Sequence, residues 1–188
     1  MKKLRGQIVI DKILDTAERL FYEQGYCNTG INQVIEEADI AKASLYKHFE
    51  SKTDLLVAYL QRFHERWFGR LEAFVHNEPN PKNKLLAVID YHRERQQIRE
   101  FGGCPFIKAN EEAGATDPRV RAEIQRAKLR VKAFIAELVA QSGHKRILAD
   151  DELTQLLFLA VEGGVVEASI FKQTNDLEFA KDILQKLI

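Results

Sequence analysis

Residues Thr29–Leu55 read TGINQVIEEADIAKASLYKHFESKTDL, and their apolar spacing predicts two short helices joined by a tight turn and followed by a capped third. Ile31, Val34, Ile35 and Ala38 recur at helical intervals, which leaves Gln33, Glu36 and Glu37 toward water. Leu45 and Phe49 repeat the pattern in the second helix. Asp39 falls where the chain must reverse. That position calls for a left-handed backbone, which Asp tolerates better than most residues with a side chain. The outward residues of the second helix are then Lys42, Ala43, Ser44, Tyr46, Lys47 and His48. Small residues let a helix approach base edges, hydroxyls and amines supply hydrogen bonds, and cations hold the flanking phosphates. The stretch reads as a helix-turn-helix directed at a DNA major groove.

Gly25-Tyr26, Ile35, Ala38, Leu45-Tyr46, His48-Phe49 and Lys52 stand at the spacing of the TetR family of bacterial transcriptional repressors, which roughly the first third of the chain resembles. The family's run Ala-Gly-Val-Ser-x-Gly-Thr-Leu-Tyr-x-His-Phe-x-x-Lys is matched by Ala38-Asp39-Ile40-Ala41-Lys42-Ala43-Ser44-Leu45-Tyr46-Lys47-His48-Phe49-Glu50-Ser51-Lys52. Asp39 replaces the turn glycine, Ala41 a phosphate-contacting hydroxyl, and Ala43 the glycine that approaches the bases. Gly30 replaces the hydroxyl that often starts the first motif helix. The resemblance implies a DNA-binding domain over residues 1–52 and an effector-binding and dimerisation domain over residues 53–188. It also implies a homodimer on a palindromic double-stranded operator, released by a small-molecule effector. DNA contacts are expected from Thr29, Gly30, Lys42, Ala43, Ser44, Tyr46, Lys47, His48 and Lys52. Among them Tyr46, His48 and Lys52 would meet phosphates. The four replacements keep open an alternative reading, a helical ligand-binding or interaction module that has lost sequence-specific DNA binding.

The 188 residues are 45% hydrophobic and 30% charged, an ordinary balance for a folded globular chain. No uninterrupted apolar run approaches the length of a membrane span. The start, Met1-Lys2-Lys3-Leu4-Arg5-Gly6, has no apolar signal core, so a cytoplasmic protein with no membrane partner is expected. Cys27 and Cys104 lie far apart without metal-ligand spacing, so neither a disulfide framework nor a metal site is expected. Charge is balanced at 28 basic and 28 acidic residues, and the basic character a DNA binder needs must therefore come from placement. Lys2, Lys3 and Arg5 form a basic N-terminal arm, and Lys42, Lys47 and Lys52 share the groove-facing side. No nucleophile, base and orienter stand at linked positions, and no phosphate-cradling glycine loop or His-Glu-x-x-His run occurs. Catalytic residues and cofactors are accordingly not expected.

Working outward, Ile10, Ile13, Leu14, Ala17, Leu20 and Phe21 form the apolar stripe of a first helix that ends near Gln24, with Gly25 in the left-handed cap position. Ser51 and Asp54 have capping-box spacing and open a long helix to about His76. Asn80-Pro81, Cys104-Pro105 and Asp117-Pro118 mark three more helix starts, and Asp150 or Asp151 and Asn175 or Asp176 mark two others. With no alternating β-branched run, the chain is expected to be all-α, with about nine helices.

The last two helices, over residues 151–172 and 177–188, each have more apolar surface than one core face needs, which suits a four-helix dimer interface of the kind the resemblance implies. The helices from Lys52 to Phe134 are rich in aromatics, most of which periodicity assigns to core. Phe63, Trp67, Tyr91, Cys104, Phe106, Asn110 and Phe134 are the candidates to line a pocket for a small hydrophobic or aromatic effector. His64, His92, Asn110 and Glu162 are polar residues that would need partners if buried. The run from Arg119 to Lys132 reads mostly as the solvated side of an amphipathic helix whose buried side is Val120, Ile124, Ala127, Val131, Phe134 and Leu138.

Overall fold

A computed structural model describes residues 2–144 and 147–188, with side chains from Gly6 onward. The side chains of Lys2, Lys3 and Arg5 lie outside the described residues. Among those described, the chain is all-α, with nine α-helices, one π-helical turn and no strand. In order these are α1 (Lys2–Glu23), α2 (Ile31–Glu37), α3 (Lys42–His48), α4 (Lys52–His76), α5 (Pro81–Ile98), α6 (Pro105–Ala109), the π turn (Asn110–Gly114), α7 (Pro118–Ser142), α8 (Asp150–Phe171) and α9 (Asn175–Leu187). Prolines open α5, α6 and α7, where the missing N–H costs nothing and the fixed φ suits the first turn. Asn80 caps α5, its side chain accepting from the N–H groups of Lys82 and Asn83. The helix that Cys104-Pro105 begins is short, because it widens after Ala109 into the π turn.

The helices form two compact units, Met1–Glu65 with Pro105–Gln125, and Arg66–Cys104 with Arg126–Ile188. In the first, Ile13, Ala17, Val34, Leu45, Leu55 and Leu60 are completely buried or nearly so, and hold α1 to α4 together. Edge-to-face or tilted aromatic contacts run from Tyr26 through Phe21, Tyr59 and Phe63 to Phe106, with centroids 5.4 to 6.1 Å apart. Arg62, largely covered, pairs with Asp15 at 2.8 Å and lies near Asp11 and Glu18, pinning α4 to α1.

The second unit has its own core, built on Leu71, Val75, Leu85, Val88, Ile135, Leu153, Leu157 and Leu177. The expected buried side of α7 is buried throughout. Gly164 lets α8 and α9 meet closely, since a Cβ there would stand 2.4 Å from Leu177 Cδ2, whereas nothing lies near Gly163. By length and composition α8 could cross a membrane, with mean hydropathy 1.4. Its apolar residues divide between two sides. Leu153, Leu157, Val161 and Val165 are buried, and Leu156, Leu159, Val166, Ile170 and Phe171 are exposed. Phe179 and Ile183 continue the exposed apolar set on α9, while Leu184 belongs to the intrachain core.

Candidate nucleic-acid interface

The α2–α3 pair is a helix-turn-helix by its own geometry. Ala38 and Val34 are buried on α2, Leu45 and Phe49 anchor α3, and Asp39 between them has φ 51°, the left-handed conformation the reversal requires. Lys42, Ala43, Tyr46 and Lys47 are exposed, and Ser44 and His48 are half-buried at the edge of the same surface. α3 carries no acidic residue, and Lys47 and His48 sit at its C-terminal end, where cations suit the helix dipole. Lys42 Nζ lies 6.0 Å from the centroid of the Tyr46 ring.

Lys52 starts α4 just beyond α3. Its ammonium lies 4.2 Å from the centroid of the Tyr26 ring, a cation–π placement that holds it without neutralising it. Burial lowers its pKa from the ordinary lysine value, and the neighbouring Cys27 and Glu112 work in the opposite direction. Tyr26 in turn shares a 3.1 Å hydrogen bond with Thr53 Oγ1. Ser51 caps α4, accepting from the Asp54 N–H at 3.1 Å and donating its hydroxyl proton to the Asp54 carboxylate at 2.8 Å. That donation, helped by the Arg119 guanidinium 2.6 Å away, keeps Asp54 below the usual carboxylate range despite burial.

Gly30 is the exposed N-cap of α2 and, lacking a side chain, supplies no cap hydrogen bond. Thr29 is different from the rest of the expected contact set. It is wholly buried, and its hydroxyl donates to the Gly25 carbonyl at 2.6 Å. Its side chain shapes the loop before α2 and does not face solvent. Sequence spacing gave no sign of this, because a threonine before a helix ordinarily reads as an N-cap.

The candidate effector residues divide between the units. In the first, Phe63 and Phe106 are buried edge to face at 5.7 Å, and Asn110 is exposed on the π turn. In the second, Trp67 is half-buried and meets Tyr91 at 5.6 Å, Cys104 is half-buried, and Phe134 packs on Phe68 at 5.5 Å within the core. The Tyr91 hydroxyl donates to the Trp67 carbonyl at 3.1 Å.

A polar cluster near Trp67 was only partly legible. His92 lies 5.3 Å from Trp67, ring centroid to centroid, and its Nδ1 is 2.8 Å from the Val88 carbonyl. A carbonyl can only accept, so Nδ1 carries the proton and Nε2 is left as an acceptor. Burial pushes His92 down to about 4, so the ring is neutral at physiological pH. Lys128 Nζ donates to Glu162 Oε2 at 2.5 Å and lies 3.6 Å from Cys104 Sγ. Burial opposes its charge, but Cys104 and Glu162 outweigh that and raise its pKa. The run from Arg119 to Lys132 is thus not uniformly solvated. Lys128 turns inward to an ion pair, and Lys132 donates to Gln155 of α8. Residue spacing along α7 could not reveal this, because both partners lie on α8.

Among the described residues no group of His, Cys, Asp or Glu is arranged to hold a metal ion.

Comparison with known proteins agrees with this geometry. The family model for bacterial regulatory proteins of the tetR family matches residues 13–59, and that for the tetracyclin repressor-like C-terminal domain matches residues 81–184. The HTH-type transcriptional regulator LmrA of Bacillus subtilis is 56% identical over 169 residues, 89% of each chain. The crystal structure of the reduced form of Escherichia coli NemR superposes with a TM-score of 0.82, covering 96% of this chain and 97% of that one at 23% identity. A TetR transcriptional regulator from Chloroflexus aurantiacus gives a TM-score of 0.82 at 25% identity, covering 98% of this chain and 94% of the other. The helix-turn-helix with its cationic outer face, the helical second unit and these matches lead to one conclusion: the chain belongs to the TetR family of bacterial transcriptional regulators, DNA-binding proteins that typically act as dimers and are not enzymes.

Proposed function

We propose that this regulator is a repressor that binds a palindromic operator as a homodimer and is released by a small hydrophobic or aromatic effector. The observation that carries the reading is the outer surface of α3, where cations, a hydroxyl and small residues stand together over two buried anchors, Leu45 and Phe49. Lys42, Ala43, Ser44 and Lys47 face base edges, and Tyr46, His48, Lys52 and the Gly30 end of α2 meet the backbone. One relative, NemR of Escherichia coli, 24% identical over 186 residues, is a repressor by name. By role, residues 1–52 read DNA, and residues 53–188 bind the effector and form the dimer. Acting on chromosomal DNA, the protein works in the cytoplasm.

Two features support the dimer and the effector. Leu156, Leu159, Val166 and Ile170 on α8, with Phe179 and Ile183 on α9, are exposed large apolar side chains of the kind a subunit interface covers. A groove of about 1030 Å³, floored by Leu129, Ala133, Ala136, Leu156 and Leu159, adjoins them. For the effector, Trp67, Tyr91, Cys104 and Phe134 of the second unit are the proposed apolar contacts, and neutral His92 with the Lys128–Glu162 pair the proposed polar anchors. An effector releases DNA only if it binds the DNA-free form more tightly.

A gel shift with the chain's own upstream region, repeated across a panel of hydrophobic compounds, tests this. Binding by the wild type, its loss on adding one of the compounds, and a matching change in the emission of Trp67, the sole tryptophan, are expected. No binding to that DNA, or binding unaffected by every compound that perturbs Trp67, would contradict it.

A further inference from the structure

The loop between α1 and α2 is gripped by a carboxylate from far along the chain. Glu112 Oε2 accepts a hydrogen bond from the Cys27 backbone N–H at 2.5 Å, and the Cys27 thiol donates to the Glu112 carbonyl at 3.7 Å. Gly25 makes room for this. Its φ is +88°, and a Cβ there would stand 2.8 Å from Glu112 Oε1. A second grip comes from Lys108, whose ammonium donates to the Tyr22 carbonyl at 3.0 Å and lies 4.6 Å from the Tyr22 ring centroid. The void left beside these contacts, bounded by Phe21, Tyr59, Pro105 and Ala109, is only about 10 Å³, room for roughly one water. The two surfaces fit closely.

The element that carries Glu112 is unusual in itself. Asn110–Gly114 is a π-helical turn, a rare geometry that occurs mostly as single turns and frequently at functional sites. Gly114 permits it here, since a Cβ there would meet Asn110 Oδ1 at 2.6 Å. The gripped loop supports the DNA-facing residues directly. Thr29 is bonded to the Gly25 carbonyl, Gly30 starts α2, and Tyr26 holds Lys52.

We propose that Glu112 is a positioning residue for operator binding: its carboxylate fixes the loop from Gly25 to Thr29 so that α2, Tyr26 and Lys52 are presented in the DNA-binding form. A hydrogen bond from a backbone N–H to a carboxylate is roughly twice as strong as one between neutral groups, so the grip orders the loop appreciably. A displacement of the π turn withdraws the carboxylate and lowers affinity without altering any residue that touches DNA. The inference rests on the DNA-binding function proposed above.

The test compares full-length wild type, Glu112→Ala and Glu112→Gln on double-stranded DNA that the wild type selects from a random pool, together with amide exchange at Cys27 in the absence of DNA. Glu112→Ala should weaken binding about tenfold, ~1.4 kcal/mol, with helix content and salt slope unchanged because no phosphate contact is removed. Glu112→Gln keeps an acceptor for the Cys27 N–H and should recover most of the affinity, and Cys27 exchange should quicken in the Ala variant only. Equal affinities for wild type and Glu112→Ala would overturn the inference alone, as would equal losses in both variants accompanied by lost helix content. A wild type that selects no DNA sequence would overturn the function on which it rests.

Discussion

Lys52 shows how one residue's surroundings set its task. It lies beside α3, outside the turn proposed to face base edges, with its position fixed by Tyr26. Lys52→Ala should therefore weaken binding to all sequences alike and reduce the salt slope by about one, whereas Ser44→Ala or Lys47→Ala should change which sequence is preferred. Binding isotherms at several salt concentrations on two unrelated DNA sequences check this. His92 makes a second residue-scale prediction. Its pKa falls from about 6.5 in the unfolded chain to about 4 in the folded one, so the unfolded state takes up the proton first as pH drops. Stability is unaffected by this residue above pH 6.5 or so and is lost progressively down to about pH 4, by roughly 3 kcal/mol at most. Urea unfolding of wild type and His92→Gln across that interval should show the wild type losing more. Parallel curves would show that His92 is not held neutral.

Among the elements, the α2–α3 turn depends on Asp39 at φ 51°. Asp39→Gly should be tolerated, and Asp39→Val should cost about 1–2 kcal/mol, because a β-branched side chain meets the backbone in that conformation. Thermal melting of the two variants separates them. The same turn shows why much of the fold was legible. The starts of α4, α5, α6 and α7 each carry a local signal, a capping residue or a proline, and apolar spacing alone marks the buried sides of α1, α2, α3 and α7. Signals of that kind act within a few residues. The π turn has none, since its width depends on a glycine at 114 that leaves room for Asn110, and Glu112 meets a backbone N–H 85 residues away. Lys128 likewise looked solvated along its own helix, and only the approach of Glu162 on α8 turns it inward. Leu184 fits the apolar pattern of α9 whichever face it joins, and only the packed structure assigns it to the core.

For the whole molecule, the exposed apolar residues of α8 and α9 are the proposed subunit interface. Leu159 and Phe179, 56% and 67% exposed, should tolerate a charge without disturbing the fold. Leu159→Glu and Phe179→Glu should sediment as monomers with helix content near wild type, and should bind DNA more weakly because two linked half-sites become one. Leu184→Glu, by contrast, should unfold the subunit, since burying an unpaired charge is costly. Monomeric wild type at micromolar concentration would refute the interface.

Selection by the full-length chain from a pool of random double-stranded DNA tests the central claim most directly. The account predicts an inverted repeat whose half-site centres lie one helical turn apart or a multiple of it, ~34–36 Å per turn. It also predicts that a Lys47→Ala chain selects altered half-sites with the same spacing. A pool left without any enriched sequence, or enriched in a single asymmetric site bound by one subunit, would contradict it.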